Sequence, residues 1–399
     1  MTIEKNLKLI GLYAFLSNAL FIVPTLLPFY KEHIGVGYQG LLLGESAFAA
    51  ACILFDVPTG WVSDVWRRKN TLMLASAVYA FGLSIYLFAH CLWQALVAEI
   101  FIGIGYSLFN GTHTAMLYDT LLSLGRTDEY RKREGKRQAL SLYGVAFAGS
   151  LGGLLYSVNN YLPLLCAIGA QLIALVVAGA LHEPERHKRL SEKHPVIDIF
   201  ETVKYVVQGH AEIGVIIVTA ATLFSATKII MWSQQPYFLA LDLPKPMYGV
   251  LMAGGWVLGG ISSQVAHLLD GKIDNFRALA FGYVAAICVC ISAGAYLGYS
   301  GIALLMLGGS CIYGIMSPRV NEVINRNIGS DRRATILSTL SLLNASFFIP
   351  ISAVIGWATD KGTIQIGMFA LAAWMVIAAG PVLLLKTLRI KPQLNNKTS

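Results

Sequence analysis

Apolar residues run almost without interruption for twenty or more positions at a time along this chain, and the polar intervals between the runs are short. The first run extends from Leu7 to Tyr30. Others cover about 38–63, 71–90, 92–122, 138–158, 162–181, 213–240, 246–269, 278–298, 301–325, 335–358 and 364–385. Each is long enough for an α-helix crossing a hydrocarbon layer of roughly 30 Å, and helices satisfy their own backbone polar groups there. The pattern predicts an all-α membrane protein with twelve transmembrane helices. The first run is too long for a signal-peptide core and lacks a small-residue cleavage site, so it reads as a retained span.

The longest polar interval, His182 to Glu212, divides the chain into an N-terminal six-helix half (1–181) and a C-terminal six-helix half (213–399). Within this linker (182–212) Ile199, Val203 and Val206 recur at helical spacing, which predicts a helix lying on the cytoplasmic membrane surface. His182, His187, His194 and His210 match no ligand spacing, so no metal is expected. The halves repeat weakly. Pro28-Phe29-Tyr30 precedes Gly40-Leu41-Leu42-Leu43-Gly44 much as Pro236-Tyr237-Phe238 precedes Gly249-Val250-Leu251-Met252-Ala253-Gly254, and a shift of 200 pairs Lys132-Arg133 with Arg332-Arg333 and Ser141-Leu142 with Ser341-Leu342. Duplicated six-helix halves are an architecture in which a substrate site lies between the halves near the bilayer midplane.

Composition agrees with the pattern: 56% of residues are apolar, 38 more are glycine, and only 13% are charged, about half the soluble norm. The formal charge of +8 would suit a nucleic-acid partner only if the cations clustered on a polar domain. They sit in short loops instead. With both termini inside, 25 of the 30 Lys and Arg fall on the cytoplasmic side, Lys31, Lys245 and Lys361 fall outside, and Lys228 and Arg319 lie within spans. That asymmetry orients the protein in an inner membrane with both termini cytoplasmic. No phosphate-cradling Gly-x-x-x-x-Gly-Lys-Ser/Thr or His-Glu-x-x-His motif occurs, so no cofactor, no ATP hydrolysis and no enzymatic activity are expected.

At the inner end of span two stands Pro58-Thr59-Gly60-Trp61-Val62-Ser63-Asp64-Val65-Trp66-Arg67-Arg68-Lys69. This resembles the hallmark loop of the major facilitator superfamily, keeping Gly60, Asp64, Arg68 and Lys69 but carrying Val65 where the family has Arg and Arg67 where it has Gly. A small residue at position 60 is expected to permit close helix packing. Ala115-Met116-Leu117-Tyr118-Asp119, Trp232-Ser233-Gln234-Gln235-Pro236-Tyr237 and Arg333-Ala334-Thr335-Ile336-Leu337-Ser338 look like segments of its drug:proton-antiporter-like branch. Gly144 to Gly153 is similar to that branch's glycine-rich antiporter motif in span five, with Ala148-Gly149 in place of Gly-Pro. The resemblance implies that Gly60, Asp64, Arg68, Lys69 and Asp119 form a gating network that holds one access state.

Ionisable groups inside spans are costly and therefore candidates for function. Asp56 and Glu45 share a face of span two and are the leading proton carriers; one of them could instead be a fixed counter-ion for Lys228 or Arg319. His113 is a third carrier candidate, or a hydrogen-bonded packing residue. Helical spacing places Glu99, Tyr106, Asn110 and His113 on one stripe of span four, with Asp119 on the other side. Ser225, Lys228, Trp232 and Gln235 form a stripe in span seven, and Arg319 can pair with Glu322 in span ten. Together with Asn18 these polar positions are the substrate-cavity candidates: Asn18, Glu99, Tyr106, Asn110, Lys228, Trp232, Gln235, Arg319 and Glu322. Lys228 favours a carboxylate or phosphate on the substrate, or is a fixed counter-ion for Glu45 or Asp56. The expectation is a monomeric secondary transporter in the lipid bilayer, moving a small amphipathic organic solute by alternating access with proton-coupled efflux. The alternatives are proton-coupled uptake of an organic anion, nutrient or siderophore, and a non-transporting receptor.

Overall fold

The computed structural model describes residues 3–184, 211–269, 275–327 and 333–378. The linker helix expected at 199–206 lies outside the described residues. All regular structure among them is helical. Spans two, four, five, six, seven, nine, ten and eleven each include a stretch long and apolar enough to cross a membrane, and the shorter apolar helix Ile364–Ala378 lies in span twelve. Span three, Arg68–Tyr86, and span eight, Lys245–Val265, are of similar length but less apolar. The protein is an all-α membrane protein with a twelve-helix layout.

Several spans read as continuous from hydropathy are broken. Span one is a helix only over Asn6–Ser17; the Asn18 side chain then turns back to the Ala14 carbonyl at 2.9 Å, and the chain resumes through short turns at Val23–Thr25, Leu26–Phe29 and Tyr30–Ile34. Span four stops at Phe109. Asn110 is extended and Gly111 takes φ +83°, a conformation that suits glycine, before a new helix covers Thr112–Ser123. Span seven pauses at Ser233 between Ala211–Trp232 and Gln234–Ala240; Pro236 has no N–H to give the Trp232 carbonyl. Span ten contains a π-turn at Leu307–Cys311. Span five, Tyr130–Val158, starts eight residues before its apolar run, and its first turns carry Arg131 to Arg137.

The chain forms two compact units, Met1–Glu192 with Asp242–Gly254, and Lys193–Leu241 with Gly255–Ser399. In the first, spans two and three flank span four, span three also packs on span six, and span one packs on spans five and six. One of its cores joins Ile10, Tyr13, Leu72, Leu108, Met116, Leu121 and Ala174. With no hydrophobic drive between helices in lipid, close van der Waals approach at small residues holds such bundles together. A side chain at Gly82 would meet the Ala98 carbonyl at 2.9 Å, and one at Gly103 the Phe48 carbonyl at 2.9 Å. At Gly60 an added Cβ meets no described atom within 4 Å. Gly60 itself is exposed. In the second unit span seven packs along span eleven and against spans nine and ten.

Candidate functional site

At the terminal end of span two's loop, Arg68 Nε lies 2.7 Å from Asp119 Oδ2, and each side chain is 15% exposed. Two helix starts fix this pair, since Arg68 opens span three and Asp119 sits in the helix that restarts after Gly111. A carboxylate from span six's end completes the arrangement. Glu183 accepts the backbone N–H groups of Arg68 at 2.8 Å and Lys69 at 2.9 Å, a capping anion at the positive end of span three worth about 0.3–1 kcal/mol. Next to it, the Asn6 amide pairs with the backbone of His182 in both directions, at 2.7 and 2.9 Å, and reaches Thr120 Oγ1 at 3.2 Å. Glu183 and Asn6 escaped sequence reasoning because their partners lie 114 to 176 residues away. The signal that could have found Glu183 is a carboxylate emerging on the same membrane face as an uncapped helix N-terminus.

A second polar cluster joins four spans of the first unit. Tyr30 and Tyr86 hydroxyls are 2.7 Å apart, and Tyr86 donates to Glu99 Oε1 at 2.6 Å. Glu99 is 5% exposed and both tyrosines are buried. Gly44 closes the cluster: a Cβ there would stand 2.5 Å from the Tyr30 hydroxyl and 3.4 Å from Glu99 Cγ. Glu45, half-buried, follows directly in span two.

The break at Asn110 divides the stripe expected in span four. Glu99 is buried, Tyr106 is 37% exposed, Asn110 is exposed, and His113 is 7% exposed. His113 Nδ1 approaches the Phe109 carbonyl at 2.5 Å and its ring lies 5.5 Å from the Phe109 ring, so its face is set by the new helix rather than by Glu99. The Asn110-Gly111 pair was the missed turn signal. Asp56 is exposed, one turn from Gly60 and next to a helical stretch holding Pro58.

In the second unit the helix Ala211–Trp232 carries Ser225, Lys228 and Trp232 on one face, as their spacing requires. Ser225 Oγ bonds Asn344 Oδ1 at 2.8 Å. The half-buried Lys228 ammonium stands 4.2 Å from the centre of the buried Phe348 ring. One turn on, Trp232 is 4% exposed and its indole N–H meets no acceptor among the described residues; the same holds for the Oε1 of the buried Gln234. Gln235 is wholly buried beyond the break at Ser233. Arg319, 5% exposed, donates to Asn275 Oδ1 at 3.4 Å, and Glu322 is half-buried one turn away.

The loop end of the first unit holds a further cluster that periodicity could not reveal. Glu32 accepts from the Tyr156 hydroxyl at 2.7 Å and Asn160 Nδ2 at 2.9 Å and pairs with Lys245, whose ammonium lies 4.9 Å from the Tyr156 ring centre. Beside it, His33 Nδ1 is 3.0 Å from the Tyr161 hydroxyl. Desolvation holds the His33 imidazole below the usual histidine range, with Glu32 acting in the opposite sense.

Among the described residues no group of three or more His, Cys, Asp and Glu is arranged to hold a metal ion. Each unit by itself thus carries clusters of hydrogen-bonding and charged groups on its membrane helices. No curated protein matches the chain by sequence. Solved structures match it over nearly its whole length at low identity. A single-residue variant of the nucleoside transporter NupG has a TM-score of 0.79 at 12% identity, covering 96% of this chain and 99% of its own. A D-xylose-proton symporter gives 0.69 at 12% identity, covering 95% and 98%. A bacterial homolog of the human lysosomal transporter Spinster gives 0.66 at 16% identity, covering 96% of each. These likenesses establish the shared fold. A family profile described as Major Facilitator Superfamily matches residues 9–349, and the chain therefore belongs to that superfamily of transporters and is not an enzyme.

Proposed function

We propose that this protein is a proton-coupled secondary transporter of a small amphipathic organic solute bearing a carboxylate or phosphate group, set in an inner membrane with both termini cytoplasmic. The observation that carries the substrate class is the donor face of span seven. Trp232 buries an indole N–H that meets no acceptor among the described residues, one turn from Lys228. A buried donor left unmade costs about 1–3 kcal/mol, and an acceptor-rich anionic group would satisfy it while drawing on the neighbouring charge. The Phe348 ring supplies a cation–π contact to Lys228, worth about 0.5–2 kcal/mol; it also fixes where the ammonium stands.

Export is the direction we favour, from the resemblance of Gly144 to Gly153 to the antiporter motif. Uptake is the second reading, and the likeness to a D-xylose-proton symporter favours it. Direction-resolved flux in oriented vesicles separates them. In either direction, this reading assigns Gly60, Asp64, Arg68, Lys69 and Asp119 to gating, and counts Asp56, Glu45 and His113 as proton-carrier candidates.

The substrate class is tested by thermal-shift screening of the purified protein against amphipathic carboxylates such as salicylate, phosphate esters, and lipophilic cations. Anions are expected to stabilise the wild-type protein. Lys228→Gln is expected to weaken the best anion at least tenfold, the loss of about 1.4 kcal/mol or more from a charge-assisted bond. Stabilisation by cations alone, or equal anion affinity in the variant, would refute the assignment.

A further inference from the structure

Span five is longer than the layer it crosses, and its surplus is cationic. The helix covers Tyr130–Val158, whereas its apolar run begins at position 138. At 1.5 Å per residue, positions 138 to 158 already account for a hydrocarbon layer of roughly 30 Å. Counted outward from position 138, Lys136 stands about 3 Å and Lys132 about 9 Å beyond that layer, at and just past the depth of phospholipid headgroups.

The cations of this extension fall into two sets. Arg126 and Arg133 share Glu129, Arg126 also meets Glu4 at 3.1 Å, and Arg137 pairs with Glu134 at 2.6 Å. Lys132 and Lys136 are exposed and make no ion pair with a described residue, although Asp128 lies one turn before Lys132.

Helical spacing shows what the second set faces. Positions 132, 136, 143, 147, 154 and 158 fall within about 80° around a helix of 3.6 residues per turn. Lys132, Lys136, Tyr143, Phe147, Leu154 and Val158 are all exposed, while the paired Arg137 is buried on the face that carries Gly144 and Ala148. Two serines border the exposed stripe. Ser150 gives its hydroxyl to the Phe147 carbonyl at 2.9 Å and Ser157 to the Leu154 carbonyl at 2.8 Å, so neither needs water. The stripe thus passes from unpaired ammoniums through two aromatic rings to aliphatic side chains. That is the order of headgroup, interface and acyl chain in a phospholipid.

Span one supplies a second wall. It packs parallel to span five, with Gly11 against Leu140, Phe15 against Gly144 and Phe21 against Gly152. The Phe147 ring centre lies 5.9 Å from that of Phe15 and 6.3 Å from that of Phe21. This register puts Lys8 level with Lys136. Lys8 and Leu12, one turn apart and on the side of the helix that carries Phe15, are both exposed, and Lys8 makes no ion pair with a described residue.

From these two stripes we propose that the N-terminal ends of spans one and five form a docking surface for an anionic phospholipid. Lys8, Lys132 and Lys136 hold its phosphate, and an acyl chain lies along Leu12, Tyr143 and Phe147. Charge selects the headgroup, because three ammoniums without carboxylates attract a net negative phosphodiester more than a zwitterion. The apolar part of the surface selects a lipid over a free phosphate, which would meet the lysines alone. The surface belongs entirely to the first unit and does not depend on which solute is carried.

The test is a titration of the purified full-length protein in detergent, read by native mass spectrometry, with phosphatidylglycerol, phosphatidylcholine and glycerol 3-phosphate as probes. Phosphatidylglycerol is expected to bind at least about tenfold more tightly than phosphatidylcholine, and glycerol 3-phosphate is expected not to bind. The triple variant Lys8→Gln, Lys132→Gln, Lys136→Gln changes only exposed positions and is expected to erase the preference. Arg131→Gln removes a cation about 100° off the stripe and is expected to keep the preference within about twofold. Equal binding of the two lipids, a preference that survives in the triple variant, or one that falls as far in Arg131→Gln would overturn the proposal. Tight binding of glycerol 3-phosphate would also overturn it and assign the lysines to a soluble anion. A second arm needs no substitution. Phosphatidylglycerol with a photoreactive acyl chain is expected to label the segments 8–15 and 136–147, and labelling confined to other segments would exclude this surface.

Discussion

Asp119→Asn is expected to lower solute flux at least tenfold in reconstituted vesicles while leaving the protein folded and able to bind anions. Arg68 and Asp119 meet at 2.7 Å with only 15% of each side chain exposed. Removing one partner of a fully buried pair costs about 3–5 kcal/mol, and exposed pairs are worth about 0–1; this pair lies between, at roughly 2 kcal/mol. Under the gating proposal the pair forms in one access state and opens in the other. An equilibrium biased by about 2 kcal/mol shifts some thirtyfold when the bias is removed, since 1.4 kcal/mol is a factor of ten. The Asn variant keeps the shape and removes the charge, so packing is not the cause. Exchanging the charges in the double variant Arg68→Asp with Asp119→Arg is expected to recover part of the flux. Wild-type rates in Asp119→Asn would remove the gating role from this pair.

Gly144→Ala and Gly169→Ala are expected to move stability in opposite directions, although both glycines sit inside helices. At Gly144 an added Cβ would collide with the backbone carbonyl of Phe15, and the neighbouring Gly152 and Gly153 press equally on the carbonyls of Phe21 and Lys245. Backbone cannot swing aside as a side-chain tip can, and overpacking typically costs 1–3 kcal/mol. About 3 kcal/mol corresponds to roughly 6–12 °C in the unfolding temperature of a domain of this size. Around Gly169 no described atom outside its own helix turn lies within 4 Å of the added carbon, and alanine is about 0.5–1 kcal/mol better than glycine in a helix. Thermal unfolding of the two variants in detergent reads both signs. A destabilised Gly169→Ala, or a Gly144→Ala indistinguishable from wild type, would contradict the packing described for span five.

These examples show which parts of the architecture a sequence displays. Twelve apolar runs are visible because a membrane forces every crossing segment to be apolar over its whole length, and that constraint acts on each residue locally. The interruptions at Asn18, Asn110-Gly111 and Ser233 are local too, but a hydropathy window averages over them; the turn chemistry of Asn-Gly and the missing N–H of Pro236 were the readable signals. The Arg68–Asp119 pair came from the resemblance of two separate segments to one family. Tyr30, Tyr86, Glu183 and Glu32 could not be found that way, because each finds its partner across the fold at a separation that no periodicity encodes. The same is true of the segment Asp242–Gly254, which belongs to the first compact unit although it follows the seventh span. Its place rests on Gly249, where a Cβ would strike the Gly149 carbonyl, and on the Lys245–Glu32 pair. Small residues and a lone surface charge carry no sign of their partner.

Proton-coupled transport is the centre of this account, and flux in proteoliposomes under an imposed pH gradient tests it most directly. The wild-type protein would be reconstituted and supplied with the tightest-binding member of the carboxylate and phosphate-ester panel. Flux is expected to run against that solute's concentration gradient when the pH gradient is imposed, and to stop when a protonophore dissipates it. Flux of the same solute that is identical with and without the pH gradient would contradict the account.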